Sequence, residues 1–284
     1  MWYDNTMETE WIKQLLAQRG MSPNKALGQN FLISAERIGQ ILNAAAPDGA
    51  RVLEIGPGCG ALTEGLCARA ANVVAVEKDA AMAQLLRESL PADCLTVVTG
   101  DFLQVDVPAL MACDDWIAVG NLPYYVTTPI VEKLIALAPQ TMTLMVQSEA
   151  AERFFARPGG RVYGPVAVVA QACYRPERIC EAGPSCFWPA PEVSSTVVRL
   201  SRRQDTTPEP AELLAFCKMI FALRRKTLRN VLQRPAWLDT WLEQNGQPLD
   251  VRAEAMNPET LTLLFFSFRK EKNQKKATAP SAEA

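Results

Sequence analysis

Between residues 51 and 147 the chain alternates short, β-branched apolar runs with stretches of helical periodicity. Each apolar run is hydrophobic on both faces, which is typical of parallel strands buried between two layers of helices. The predicted strands are Arg51–Ile55, Asn72–Glu77, Leu95–Thr99, 116–121 and Thr141–Gln147, with helices near 61–70, 79–90, 128–138 and 148–156. Two later runs, 166–172 and 193–200, predict an antiparallel hairpin at the edge. The alternation therefore predicts an α/β fold whose sheet is mostly parallel and has seven strands.

A polar, proline-containing segment at 201–210 is the best candidate for a linker. After it, residues 211–268 show helix-length apolar periodicity with breaks at proline and glycine, which predicts a small all-helical domain. We therefore expect an N-terminal extension at 1–24, an α/β domain at 25–203, a helical domain at 204–269 and a disordered, charged tail at 270–284.

The chain contains no histidine among its 284 residues. This excludes Ser-His-Asp and Cys-His catalysis and the histidine-based zinc sites. The eight cysteines form no CxxC pair and no cluster with metal-ligand spacing, so we expect reduced thiols and no metal. Because no run of about 18 apolar residues occurs, we expect no membrane span and no signal peptide, and a cytoplasmic protein.

The charges are distributed unevenly along the chain. The net charge is −2, yet residues 1–150 carry 9 Lys and Arg against 17 Asp and Glu, whereas residues 151–284 carry 20 against 14. This asymmetry favours an acidic working domain joined to a basic docking surface. A chance unevenness of solvated side chains is the alternative.

Unusual residues follow the predicted strands at their carboxyl ends, where open parallel sheets bind ligands. The first strand leads into a glycine loop at 56–60, which lets the backbone approach a nucleotide-like ligand. The second ends at Glu77, an acid that can accept both hydroxyls of a ribose, and Asp101 follows the third. The loop also fits the dinucleotide pattern GxGxx(G/A), so nicotinamide or flavin binding and methyl-donor binding both stay open. A loop that only packs the helix, and a helix N-cap at Asp101, are the structural alternatives.

The fourth strand ends in Asn121, Leu122, Pro123 and Tyr124. The Asn121 side-chain oxygen can accept one N–H of an exocyclic amine. Pro123 favours an extended Leu122 and has no N–H of its own, which leaves a backbone carbonyl for the second N–H. Two such acceptors direct the amine lone pair towards an electrophile, and Tyr124 offers a flat face for the base. This favours methyl transfer to adenine N6 over a turn that merely ends a strand.

These four residues resemble the (N/D)-(L/I/P)-P-(Y/F) signature of S-adenosylmethionine-dependent amino-methyltransferases. The whole chain resembles the ribosomal RNA adenine N6,N6-dimethyltransferase family of the KsgA/RsmA type. The matching segments are Leu27-Gly28-Gln29-Asn30-Phe31-Leu32, Leu53-Glu54-Ile55-Gly56-Pro57-Gly58, Gly120-Asn121-Leu122-Pro123-Tyr124, 147–153, Tyr163-Gly164, Phe187-Trp188-Pro189-Ala190-Pro191-Glu192-Val193-Ser194-Ser195 and Arg224-Arg225-Lys226-Thr227-Leu228-Arg229-Asn230. The resemblance implies a Rossmann-like class I methyltransferase fold with a helical C-terminal domain.

The resemblance also implies roles for individual residues. Those expected to bind S-adenosylmethionine are Asn30 and Leu32 at the methionine end, Gly56 at the amino-acid moiety, Gly58 in the same loop, Glu77 at the ribose, Asp101 at the adenine amine and Asn121 where donor and acceptor meet. The residues expected at the acceptor are Asn121, Leu122, Pro123 and Tyr124, with Phe187 as a second aromatic that sandwiches the target base. A core phenylalanine beside a proline-rich turn is the alternative for Phe187.

The implied reaction is dimethylation of N6 of two adjacent adenosines in the 3′-terminal hairpin loop of small-subunit (16S) ribosomal RNA, by a monomer acting on the 30S subunit. The alternatives are a large-subunit adenine methyltransferase of the macrolide-resistance type and a non-catalytic ribosome-assembly factor. Residues 224–230 argue for the small-subunit group, and intact Glu77, Asp101 and Asn121 argue for activity.

RNA docking is expected on Arg225, Lys226 and Arg229, which would share an arc of about 100° on a helix. The resemblance implies that this surface contacts phosphates, with Arg199, Arg202 and Arg203 as an extension. A solvated helix face is the alternative. The chain departs from the family pattern at its N-terminus, where an acidic segment precedes the 27–32 motif.

Overall fold

Seven strands form the central sheet, and the five strands predicted between residues 51 and 147 are among them. The computed structural model describes residues 5–90, 93–204 and 208–278. The seven strands are β2 Arg51–Ile55, β3 Asn72–Glu77, β4 Leu95–Thr99, β5 Ile117–Asn121, β6 Thr141–Gln147, β7 Tyr174–Ala182 and β9 Ser195–Arg202, while β1 Phe31–Leu32 and β8 Phe187–Trp188 form a separate ladder. The sheet order is β4-β3-β2-β5-β6-β9-β7.

The pairing of the strands confirms the predicted α/β fold with its mostly parallel sheet. Strands β4, β3, β2, β5 and β6 pair in parallel, and β9 runs antiparallel to β6. The strand order reverses beside β2, because β3 and β4 extend the sheet on one side and β5 and β6 on the other. A crevice opens at such a reversal, beyond the carboxyl ends of the strands.

Burial explains why the central strands lie between helices. Every residue of β2 and β3 after the first is buried, so both faces of these strands are covered. Val52 and Val119 pack with Leu66 in one apolar cluster. The helices of this part of the chain are α1 Asn5–Gln18, α2 Ala35–Ala45, α3 Thr63–Cys67, α4 Ala80–Ser89, α5 Val107–Met111, α6 Thr127–Leu137 and α7 Ser148–Ala151.

The prediction of a strand at 166–172 is wrong. This segment is α8 Pro165–Cys173, and the strand of the sheet edge follows it directly as β7. Pro165 occupies the first turn of the helix, where its missing N–H costs no hydrogen bond. No residue of this run is exposed, so it has neither a helical nor a strand-like polar face to distinguish the two.

The prediction of a disordered tail from residue 270 is also wrong for the residues that the structure describes. The last helix, α12 Pro258–Thr278, continues through 270–278. Lysine, glutamate, glutamine and alanine are good helix formers, so the helix extends beyond its buried first half. Residues 279–284 lie outside the described ranges.

The described chain separates into two compact units. The first runs to Glu152 and includes Arg175–Arg202, and the second comprises Arg153–Tyr174 and the described residues from Arg203 onwards. The second unit contains α8, α9 Pro210–Phe221, α10 Leu228–Val231, α11 Ala236–Gln244 and α12. It therefore includes 153–174 in addition to the helical segment, held there by Tyr163, whose hydroxyl donates to the Met256 carbonyl at 2.7 Å.

Three observations on the described residues concern membrane spans, metal sites and disulfides. Within the described ranges, no helix is long and apolar enough to cross a bilayer. The same residues contain no group of three or more potential metal ligands. The eight cysteines, all of which lie in those ranges, form no disulfide.

Candidate active site

A cleft at the carboxyl ends of β2, β3, β4 and β5 brings together the residues that the sequence singled out. Ten of them line it: Asn30, Leu32, Gly56, Gly58, Glu77, Asp101, Asn121, Leu122, Pro123 and Tyr124. They come from distant parts of the chain, and the sheet reversal is what makes them neighbours. All ten belong to the first compact unit.

The glycine loop is shaped so that the backbone forms the wall of the cleft. Gly58 has φ +56°, and a Cβ there would lie 3.1 Å from the Phe31 ring. At Gly120, inside β5, a Cβ would lie 2.8 Å from the Ile55 carbonyl oxygen. Side chains at these two positions would strain the loop or push β2 and β5 apart, so glycine keeps the crevice open at its floor.

Glu77 is buried and held in one orientation. Its Oε2 accepts the Gly58 N–H at 3.0 Å, and its Oε1 accepts the Asp79 N–H at 2.8 Å. Burial raises the pKa of Glu77, while the two backbone N–H groups act against that shift. The carboxylate thus ties β3 to the glycine loop and keeps further lone pairs for a ligand in the cleft.

Asp101 lies at the other side of the cleft and does not cap a helix. Its Oδ1 accepts the Leu103 N–H at 2.9 Å, and its Oδ2 pairs with Lys78 Nζ at 3.0 Å. The backbone N–H of Leu103, with the Lys78 ammonium, lowers the pKa of Asp101. The N-cap of the next helix is Asp106. Asp101 is therefore an ionised acceptor at the cleft rather than a capping residue.

Asn121 is oriented by the segment that faces it across the cleft. Its Nδ2 donates to the Asn30 carbonyl at 3.1 Å, and no donor among the described residues pairs with its Oδ1. The Pro123 carbonyl accepts from Thr127 Oγ1 at 3.1 Å and from the Val126 N–H. The Leu122 carbonyl has no donor within the same described part of the chain. Asn121 Oδ1 is thus available, and so is the Leu122 carbonyl, whereas the sequence predicted a backbone carbonyl without saying which one.

Tyr124 and Phe187 occupy different environments. The Tyr124 hydroxyl and Ser195 Oγ are 2.8 Å apart, which fixes the ring at the cleft wall. Phe187 does not line the cleft; it is 3% exposed and pairs with Leu32 in the β1–β8 ladder. It packs in the apolar core, so this structure gives it no open face for a base. Tyr125, which is 55% exposed, is another aromatic residue that lines the cleft.

Glu54 is a cleft residue to which sequence reasoning gave no role. It lies at the end of β2, is 1% exposed, and its Oε2 has no hydrogen-bond partner in the described chain. Burial, reinforced by the nearby Glu77 carboxylate, raises the pKa of Glu54 to about 8. The sequence feature that could have indicated a role for Glu54 is its position two residues before the glycine loop.

The charges of the cleft distinguish the two ligand classes that the glycine loop left open. Glu77 and Asp101 line it, Lys78 is already paired with Asp101, and burial keeps the Glu54 carboxyl, whose pKa is raised to about 8, uncharged at neutral pH. A dinucleotide would bring a pyrophosphate beside buried carboxyl groups, which is unfavourable. A ligand that carries positive charge is favoured there.

The three cations proposed for RNA docking do not form a stripe on one helix. Arg225 and Lys226 lie in the turn between α9 and α10, where both are exposed, and α10 begins at Leu228 after its cap Thr227. Arg229 lies in α10 and pairs with Asp239 at 2.8 Å. The prediction that the three cations share an arc of one helix was wrong, because α9 ends at Phe221.

Comparison with known proteins shows the family to which the chain belongs. The family model described as "Ribosomal RNA adenine dimethylase" matches residues 20–246. A "Ribosomal RNA small subunit methyltransferase A" of Acidobacterium capsulatum is 40% identical over 251 residues, which is 84% of this chain and 89% of its own. The protein of that name from Staphylococcus epidermidis is 34% identical over 295 residues, covering 97% of this chain and 98% of its own.

Two solved structures share the fold. A dimethyladenosine transferase from Plasmodium falciparum superposes with a TM-score of 0.68 at 24% identity, covering 85% of this chain and 98% of its own. The 23S rRNA methyltransferase ErmE gives 0.64 at 29% identity, with 84% and 98% covered. With a family model matched over most of its length, the chain belongs to the ribosomal RNA adenine dimethylase family.

Proposed function

We propose that the chain transfers methyl groups from S-adenosylmethionine to N6 of two adjacent adenosines in the 3′-terminal hairpin loop of small-subunit ribosomal RNA. The observation that carries this proposal is the pair of available acceptors, Asn121 Oδ1 and the Leu122 carbonyl, at one end of an acidic cleft. The curated relatives bear the name of small-subunit methyltransferases, which supports this target.

The residues of the cleft fit S-adenosylmethionine. The cofactor supplies an activated methyl group on a cationic sulfur. Glu77 and Asp101 suit a ligand of positive charge, and the glycine loop leaves room for its backbone-facing part. Glu77 would hold the ribose hydroxyls and Asp101 the adenine amine, while Asn30, Leu32 and the 56–58 loop would hold the methionine end.

At the acceptor end the chain positions an amine and removes no proton from it beforehand. Asn121 Oδ1 and the Leu122 carbonyl accept the two N–H groups, which localises the lone pair on nitrogen. Tyr124 supports the base with its ring, steadied by Ser195. A nitrogen that gains a methyl group becomes strongly acidic, so the absence of histidine is no obstacle. In the second round a single N–H remains, and one acceptor suffices to orient it.

The variant Asn121→Ala tests this proposal. We expect it to keep S-adenosylmethionine affinity within about threefold, because the other cofactor residues remain, and to lose activity by about a hundredfold or more. Calorimetry measures the binding, and mass spectrometry of the hairpin nucleotides measures N6-dimethyladenosine on unmethylated 30S subunits. Asn43→Ala, on the exposed face of α2, is the matched control.

Full activity of Asn121→Ala would overturn the proposed roles. Parallel assays on 23S rRNA address the second candidate, which the similarity to ErmE favours. Methylation of 23S rRNA with none on 30S subunits would assign the chain to large-subunit RNA. Cofactor binding without methylation of either RNA would point to an assembly factor.

A further inference from the structure

Lys133 joins the helix that follows the acceptor motif to the loop that follows β4. It lies in α6, and its Nζ donates to the carbonyl oxygens of Phe102 and Val105, each at 2.7 Å. The same ammonium lies 5.0 Å from the centre of the Phe102 ring. Both carbonyls belong to one irregular segment, so a single side chain holds it at two points and across an aromatic face.

The segment held by Lys133 carries the adenine end of the cleft. Residues 101–105 follow β4 without forming a helix, and Asp101 and Phe102 line the cleft. The N–H groups of Gln104 and Val105 both bond to the Asp101 carbonyl, which makes the segment a tight turn. Asp101 is thus fixed to the turn through its main chain, and the turn is fixed to α6 through Lys133.

The ammonium is well matched to this task. A charged donor makes stronger hydrogen bonds to carbonyl oxygens than a neutral one. The carboxylates of Asp101 and Asp106 favour its charged form, although burial has the larger effect and lowers the pKa of Lys133. A neutral side chain of similar length would leave two carbonyls without this donor.

We infer that Lys133 is a positioning residue for cofactor recognition, which sets the place of the Asp101 carboxylate by holding the 101–105 turn against α6. This inference rests on the proposed function, in which Asp101 recognises the adenine amine. Lys133 itself does not line the cleft. Because α6 starts at Thr127, which bonds to Pro123, the same helix also supports the acceptor motif. The turn and the acceptor residues thereby share one support.

The test compares two ligands that differ at the adenine amine. S-adenosylhomocysteine carries the amine, and S-inosylhomocysteine carries a carbonyl in its place. We expect the wild-type protein to bind the first about tenfold more tightly or better. Lys133→Met should lower the affinity for S-adenosylhomocysteine about tenfold and change the affinity for S-inosylhomocysteine by less than twofold. The discrimination between the two ligands is then lost. Lys133→Gln, which keeps one donor, should lie between the two, and it serves as the test variant if Lys133→Met does not fold.

The outcomes separate the inference from the proposed function. Equal wild-type affinity for both ligands would overturn the role of Asp101 in the proposed function. The positioning role would be overturned if the wild-type protein discriminates between the ligands but the Lys133 variant has lowered affinity for both by the same factor. Unchanged affinity of the variant for both ligands would overturn it as well. The turnover number at saturating S-adenosylmethionine should stay within twofold while KM for it rises. Lys13→Met, at a lysine of α1 whose Nζ pairs with Glu10 at 2.8 Å, is the matched control.

Discussion

Glu54 is a buried acid whose ionisation differs between the folded protein and water. It is 1% exposed, and burial raises its pKa from an ordinary 4.5 to about 8. Below pH 4.5 the carboxyl is protonated in the folded and the unfolded chain alike. Between about pH 4.5 and 8 the unfolded chain releases the proton while the folded one keeps it, so the free energy of unfolding falls as pH rises.

Replacement of Glu54 by glutamine should therefore flatten this pH dependence. We expect Glu54→Gln to gain stability relative to the wild type between pH 5 and pH 8, by about 1 kcal/mol per pH unit, because it has no proton to lose. Urea unfolding of the cofactor-free proteins at several pH values measures the difference. Glu64→Gln, on the exposed side of α3, should show no such trend. A constant difference between Glu54→Gln and the wild type would show that Glu54 ionises normally.

Among single residues, the sequence predicted correctly that several with distinctive chemistry lie at the cleft, and their roles there stay predictions. The amide of Asn121, the missing N–H of Pro123 and the acid at Glu77 can be recognised in the printed chain. Lys133 and Ser195 could not be found, because their partners are fixed only when the sheet forms. The burial of Phe187 could not be predicted for a related reason: it pairs with Leu32, which lies 155 positions away in the sequence.

Among the elements, α1 was the least expected contributor to the site. Its residues Ile12 and Leu16 are buried in a cluster with Phe31 and Cys59. Phe31 precedes Leu32, which lines the cleft as Phe31 does, and Cys59 lies in the glycine loop. The acidic N-terminal extension thus packs behind two walls of the cleft.

Truncation of a buried side chain in α1 should destabilise the α/β unit. Leu16 is 1% exposed, so we expect Leu16→Ala to lower the free energy of unfolding by about 2–4 kcal/mol through lost contacts and a cavity. Urea titration measures this value. Gln14→Ala, on the exposed face of the same helix, should change it by less than about 0.5 kcal/mol. Equal effects of the two variants would show that α1 does not pack on the core in solution.

The elements also show where periodicity is informative. The five strands from β2 to β6 were predicted correctly because each is bounded by loops and lies between helical patterns. Segment 166–172 was assigned to the wrong class because a run without exposed residues shows no polar face. The full length of α12 was not predicted, because its last residues are charged. Charged residues indicate solvent exposure, and the exposed end of a helix and a disordered tail cannot be distinguished by that property.

For the whole molecule, the two compact units divide the charge. The first unit carries 13 Lys and Arg against 21 Asp and Glu, and the second carries 16 against 10. The chain's net charge of −2 thus combines an acidic unit that holds the cleft with a basic helical unit. Under the proposed function, the basic unit is the one suited to RNA phosphates.

The exposed cations of the helical unit should contribute to the salt dependence of RNA binding. Arg225 and Lys226 lie exposed in the turn before α10, whereas Arg229 is paired with Asp239. We expect the double variant Arg225→Gln, Lys226→Gln to weaken binding to 30S subunits and to reduce the slope of log K against log salt by about one unit for each lost phosphate contact. Filter binding between 50 and 300 mM salt measures the slope.

The single variant Arg229→Gln tests whether the salt dependence comes from exposed cations in particular rather than from any positive charge. Because Asp239 already neutralises Arg229, its removal should change the slope by less than half a unit. Lys13→Gln, in the acidic unit, should leave the slope unchanged. An unaltered slope in the Arg225, Lys226 double variant would assign both cations to a solvated surface, and a larger effect from Arg229→Gln would show that its ion pair with Asp239 opens when RNA binds.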